Sequence, residues 1–234
     1  MTRTTESIRW RGGQVTRIEA LTDAVFGFAI TLLVVSLEVP GTFDELVATM
    51  RGFVAFSCSF ALLILVWHYH YRLFSRYDLE DGYTVFLNSV LLFVVLFYVY
   101  PLKFVFSAWL GGDQERIFSA AEQIPLMMTI YAAGFIAVFL VFALLYHHAW
   151  ALRNRLRLTG VEALEARAHV GSCLVMVAAG ALSILIAQTA PPQYAGFLAG
   201  ISYFLIGPAQ YANGWYFARR RERLIRADSG PVDG

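Results

Sequence analysis

Long apolar stretches separated by short polar breaks run through almost the whole of this 234-residue chain. Crossing a hydrocarbon core of ~30 Å takes roughly 20 predominantly apolar residues in a helix. The pattern predicts transmembrane helices at 17–39, 46–74, 82–106, 124–152, 163–188 and 193–217. The breaks carry turn chemistry: Pro40-Gly41 ends the first helix, Asp78, Glu80, Asp81 and Gly82 divide the second from the third, and Pro191-Pro192 divides the last two. The segment Gly111 to Gln123 is polar enough to lie outside the membrane, with room for a short surface helix. Composition agrees, with 58% of residues hydrophobic and 15% charged, against ~45–50% and ~25% in soluble domains. The expected fold is an all-α membrane protein with six transmembrane helices in one domain, 17–217. An N-terminal segment, 1–16, and a basic tail without regular structure, 218–234, flank it. The first sixteen residues contain no apolar run followed by a small-residue cleavage site, so no removable signal is expected.

Charge placement gives direction. Of eighteen Lys and Arg residues, fifteen fall on one side of the predicted topology: Arg3, Arg9, Arg11, Arg17, Arg72, Arg76, Arg153, Arg155, Arg157, Arg167 and the tail arginines 219, 220, 221, 223 and 226. Arg51, Lys103 and Arg116 fall opposite. Cytoplasmic loops carry the excess of Lys and Arg, so both termini are expected in the cytoplasm of a cell inner (plasma) membrane protein, which demands an even number of spans. A net charge of +1 gives no argument for nucleic-acid binding. The tail arginines read as a membrane flank with lipid headgroup contact. Cys58 and Cys173 lie in apolar segments without CxxC spacing, so packing is their expected role.

Within the apolar helices one layer is polar. Asp23 sits six residues beyond Arg17, about 9 Å into the first helix. An ionised carboxylate there needs a partner, because a charge at the bilayer centre costs ~2.5–3.5 kcal/mol. Trp67 and His70 lie four to seven residues before the second helix ends near Phe74, and Asn88 lies six residues into the third. All fall at the same depth. Trp67 and His70, spaced i and i+3, can present an indole donor and an imidazole together to the carboxylate. Thr22, Asp23, Trp67, His70 and Asn88 thus either tie three helices together as a polar clamp or form a proton relay or ion site. Helical angles favour the clamp. With Phe28 at zero, Asp23 points ~140° away, while Ala24, Thr31, Leu32 and Val35 lie within about 60° of it. The second face is apolar with one hydroxyl, Thr31. It serves as lipid-facing or packing surface, or, if several copies surround an axis, as stacked hydrophobic rings that gate by dewetting.

The stretch Arg17-x-x-x-Leu21-Thr22-Asp23, followed by Ala-Val-Phe and Ile30-Thr31-Leu32-Leu33-Val34, resembles the Arg-x-x-x-Phe-Ser-Asp signature of the endolysosomal potassium channels and their prokaryotic relatives. Trp67-x-x-His70 before Arg72-Leu73-Phe74 is similar to that family's second-helix motif, and Asn88 with Pro101 fits its third helix. The resemblance implies a homotetramer whose first helices line a potassium-permeable pore without a Thr-Val-Gly-Tyr-Gly carbonyl filter. It places the constrictions at Phe28, Leu32 and Val35, the nearby hydroxyl at Thr31, and the supporting network at Arg17, Thr22, Asp23, Trp67, His70 and Asn88. Leu21 stands for the motif Phe, Thr22 for Ser, and Phe28 where Ile is usual. Potassium or another monovalent cation is the implied permeant species; no cofactor, metal or catalytic activity is implied.

Two other classes remain as expectations to weigh. A proton-coupled carrier would use Asp23 and His70. A membrane redox or metal protein would use His147 or His148 with His70 or His169. Adjacent histidines point ~100° apart on a helix, so His147 and His148 cannot both serve one site.

Overall fold

In a computed structural model the described residues are 15–35, 40–110 and 123–228. All regular structure among them is helical: α1 (Arg17–Val35), α2 (Phe43–Arg51), α3 (Phe53–Tyr77), α4 (Gly82–Leu110), α5 (Gln123–Ala151), α6 (Gly160–Thr189), α7 (Pro192–Ile201), a 3-10 turn (Ser202–Leu205) and α8 (Ile206–Asp228). Five of these helices are long and apolar enough to cross a membrane: α1, α3, α4, α5 and α6.

Local chemistry fixes several starts. Thr16 and Glu19 exchange bonds at the head of α1, Glu19 Oε2 accepting from the Thr16 N–H at 2.9 Å and Thr16 Oγ1 from the Glu19 N–H at 3.2 Å. Thr159 and Glu162 repeat this reciprocal cap on α6. Thr42 caps α2 by accepting from the Glu45 N–H, and α2 ends at Gly52. The predicted second helix, 46–74, is therefore two helices, α2 and α3. Along α2 the apolar residues Phe43, Leu46, Val47 and Met50 are exposed.

The predicted sixth helix, 193–217, is interrupted. Pro208 lacks the N–H that would bond the Phe204 carbonyl, and a 3-10 turn precedes α8. Ser202 and Ser183 hydroxyls both donate to the Ala199 carbonyl, at 2.6 and 3.2 Å. In lipid such an interruption needs internal partners, and these hydroxyls supply them. Beyond the interruption α8 runs to Asp228, so the tail arginines expected without regular structure stand on a helix. The expected surface helix between Gly111 and Gln123 falls largely outside the described residues.

The core sits where α4, α5 and α6 meet, with α5 in the middle. Rings pack through it: Phe135 lies tilted 4.7 Å from Phe139, and Tyr69 meets Phe139 edge-on at 5.5 Å. Tyr98 of α4 covers Gly134 of α5, and its hydroxyl donates to the Tyr131 carbonyl at 2.9 Å. That bond fixes the ring in place. At one end of the bundle Arg76 of α3 pairs with Glu165 of α6 at 2.6 Å. There too His148 of α5 meets Asp81, ahead of α4, at 2.9 Å. By contrast α1 touches only α3 and α4 among the long helices.

A methyl group at position 134 would enter the Tyr98 ring. Gly134→Ala is expected to cost about 1–3 kcal/mol, the usual penalty of overpacking, lowering the thermal midpoint in detergent. Gly82→Ala, with open space where the added Cβ would stand, is expected to leave it unchanged.

Partial burial pushes the Asp81 carboxyl up, but hydrogen bonds from His148 and Thr84 outweigh it and hold the group at about 2. A carboxyl lowered from 3.8 contributes its stability above pH 3.8 and loses it as the pH falls through about 2. Asp81→Asn is expected to remove that acid-side step, so the two thermal midpoints differ at neutral pH and converge near pH 2.

Candidate functional site

Helix α1 has two opposite faces. Thr22, Phe26, Ala29 and Leu33 are buried against its neighbours, and by helical angle they lie about 100–160° from Phe28. Phe28 (56% exposed), Thr31 and Val35 (70% exposed) are open, with Leu32 half-buried beside them. From Phe28 to Val35 the stripe rises about 10 Å. It holds no charged side chain from Ala24 to Val35. The Thr31 hydroxyl donates to the Gly27 carbonyl at 2.9 Å. Its proton is committed to the helix, and the oxygen presents acceptor capacity to the open side.

On the buried side a directed chain of hydrogen bonds crosses three helices. The Thr22 hydroxyl donates to the Ile18 carbonyl at 2.8 Å. It accepts from Asn88 Nδ2 at 3.0 Å. This orients the Asn88 amide so that Oδ1 faces His70 Nε2 at 2.9 Å. A carbonyl oxygen only accepts, so Nε2 carries the proton. Thr22, His70 and Asn88 are all at least 98% buried. The His70 ring stacks on Phe74 at 4.3 Å.

Asp23 stands beside this chain. Its Oδ1 accepts from Trp67 Nε1 at 2.8 Å, and the indole stacks on Tyr71 at 5.7 Å. The structure therefore places Thr22, Asp23, Trp67, His70 and Asn88 at one level but divides them. The indole alone reaches the carboxylate, whereas His70 turns to Asn88. Arg17, expected in the network, is exposed and makes no hydrogen bond or ion pair with the other five among the described residues. It sits about 9 Å along the axis from Asp23, at the head of α1 where solvent reaches.

Phe74 and Tyr71 were not among the expected site residues. Their i+4 spacing from His70 and Trp67 was the available signal, since such pairs are neighbours on a helix.

The other histidines have local partners. His148 meets Asp81 and the Tyr83 ring, His147 lies against Trp150, and His169 stacks on Tyr146. Among the described residues no three His, Cys, Asp or Glu stand where they could hold a metal ion.

Known proteins are similar to this chain in sequence and fold. The family described as the endosomal/lysosomal potassium channel TMEM175 matches residues 17–99, which hold α1, α3 and much of α4. A potassium channel of Marivirga tractuosa is 38% identical over 232 residues, covering 93% of each chain. A potassium channel of Chamaesiphon minutus is 33% identical over 141 residues, 57% of this chain and 64% of that one. The crystal structure of a variant of the potassium channel MtTMEM175, in complex with a nanobody–MBP fusion protein, superposes with a TM-score of 0.80. It is 37% identical and covers 91% of this chain and 97% of its own. A lysosomal potassium-selective channel TMEM175 homologue from Chamaesiphon minutus gives 0.55 at 26% identity, covering 88% and 96%. With similarity of this extent along almost its whole length, the chain belongs to the TMEM175 family of potassium channels.

Proposed function

We propose that this chain forms a homotetrameric, potassium-permeable cation channel in the plasma membrane, with both termini cytoplasmic and the four copies of α1 around the ion path. The observation that carries the reading is the division of α1 into an anchored face and an open apolar stripe 100–160° away. A helix held from one side by α3 and α4 offers its other side to an axis. Around four-fold symmetry Phe28, Leu32 and Val35 become three rings, and an apolar constriction narrow enough to expel water stops ions without any plug. Thr31, between the first two rings, brings four hydroxyl oxygens to the path. Phe28, the bulkiest of the three, sets the narrowest ring. The polar chain through Thr22, Asn88 and His70, with Asp23 and Trp67 beside it, acts as the clamp that holds α1 in this rotation. No step of this function is catalytic.

Purified protein in liposomes is expected to carry a potassium flux, and Phe28→Ala or Leu32→Ala to raise it several-fold by widening an apolar ring. Absence of flux from wild type and both variants, with tetramers confirmed by cross-linking, would sink the channel reading.

For the clamp, Asn88→Leu leaves the buried His70 Nε2–H without its acceptor, at a cost of about 1–3 kcal/mol. This variant, and Asp23→Ala, are expected to give less assembled tetramer on size-exclusion chromatography. Normal assembly with a changed pH dependence of flux would assign the network to proton transfer instead, the carrier reading.

A further inference from the structure

Two tryptophans near one end of the bundle hold arginines that the channel reading does not use. Trp150 lies in the last turn of α5, with Arg153 Cζ 4.8 Å and Arg167 Cζ 5.3 Å from its ring centroid. Arg153 also donates Nη1 to the Trp150 carbonyl. On α8, Arg219 Cζ stacks 3.6 Å from the Trp215 ring centroid and Arg220 Cζ 4.9 Å from that of Tyr216. None of these four guanidinium groups has a carboxylate partner among the described residues. Two like charges share one indole at Trp150, an arrangement that repels itself until an anion joins it.

The two clusters stand at nearby levels. Helix α8 runs antiparallel to α6 and is pinned to it: Gln210 Nε2 donates to the Ser172 carbonyl at 2.9 Å and Asn213 Nδ2 to the Ala168 carbonyl at 3.2 Å. Gly171 leaves the space Asn213 fills, since a Cβ there would meet Asn213 Oδ1 at 2.5 Å. Counting from the Asn213–Ala168 bond, Gly160 lies about 12 Å along α6 and Arg219 about 9 Å along α8 in the same direction. Arg219 to Arg223 therefore stand near the start of α6 and the connection that carries Arg153, Arg155 and Arg157. Trp215, Arg219, Arg223 and Arg226 are spaced four, four and three residues apart, which is one helix face. Residues 219–226 are exposed and hold five arginines and one glutamate, Glu222.

We propose that this arginine-rich end of the bundle binds the headgroups of anionic phospholipids, through Arg153 and Arg167 on Trp150 and Arg219 and Arg220 on Trp215 and Tyr216. Tryptophan and tyrosine rings settle at the headgroup level of a bilayer. A guanidinium held over such a ring is already ordered, and its planar fork meets a phosphate through two parallel hydrogen bonds. Net charge then separates anionic from zwitterionic lipids, because each arginine near an anionic surface contributes about fivefold in affinity.

The test uses the delipidated full chain in detergent, titrated with phosphatidylglycerol or phosphatidylcholine and read by native mass spectrometry. Wild type is expected to retain phosphatidylglycerol at concentrations where phosphatidylcholine is lost. Arg167→Gln with Arg219→Gln is expected to weaken phosphatidylglycerol binding roughly 25-fold, fivefold for each arginine, with phosphatidylcholine unchanged. If that pair does not fold, Arg167→Lys with Arg219→Lys keeps the charges and loses the fork, with an intermediate loss expected. Equal retention of the two lipids by wild type, or wild-type retention in the Gln pair, overturns the proposal. So does complete displacement by inorganic phosphate, which would mark a free-anion site. Lipid retention is read without an ion gradient, so it succeeds or fails separately from conduction.

Discussion

The placement of α1 depends on one constraint, that hydrocarbon offers no hydrogen-bond partner to a buried polar group. Thr22, Asn88 and His70 are buried and must satisfy one another. They do so in a single direction, from the imidazole through the amide and the hydroxyl to the Ile18 carbonyl. In a low-dielectric interior each such bond is worth more, and each orphan costs more, than in water. The buried apolar contribution of α1 is modest, with only Phe26, Ala29 and Leu33 fully inside. Polar bonds therefore decide its rotation as well as its attachment, because a turned helix would take Thr22 from the buried Asn88 amide and Asp23 from the Trp67 indole at once.

The rest of the protomer is built differently. Around α5 the packing is aromatic and tight, with small residues placed where helices approach most closely, as at Gly134 under Tyr98 and Gly180 against Ile136. The arrangement gives a firm body of α4, α5 and α6, with α3 and α1 laid against one flank. An apolar stripe on the outermost helix is then a result of where the core stops: among the described residues no further helix covers Phe28, Thr31 or Val35.

Much of this was legible in the sequence because membrane helices announce themselves by length and apolar composition. The polar layer was legible too, since depth can be counted from each helix end, and Thr22, Asp23, Trp67, His70 and Asn88 came out at one level. What counting could not provide was pairing. It offered both Trp67 and His70 to Asp23, whereas the orientation of the Asn88 amide, set by Thr22, draws His70 away. Arg17 was carried along by its place in a motif and stands apart, because a guanidinium at the head of a helix has water to turn to. The split between α2 and α3 was written in Thr42, Glu45 and Gly52, a cap signal that hydropathy masks. The interruption at Ser202–Leu205 depends on Ser183, nearly twenty residues earlier, and no local reading contains it.

That interruption has a mechanical consequence. Because two hydroxyls grip the Ala199 carbonyl, the chain turns there as a braced corner and not as a loose joint. Below the corner Gln210 and Asn213 lock α8 onto α6. A pull on the arginine-rich end of α8 is then borne by α6 and passed to α5, and it arrives at α1 only after crossing α4 or α3. The first and last of the described helices thus make no contact with each other, and the tightly packed body of α4, α5 and α6 stands between them.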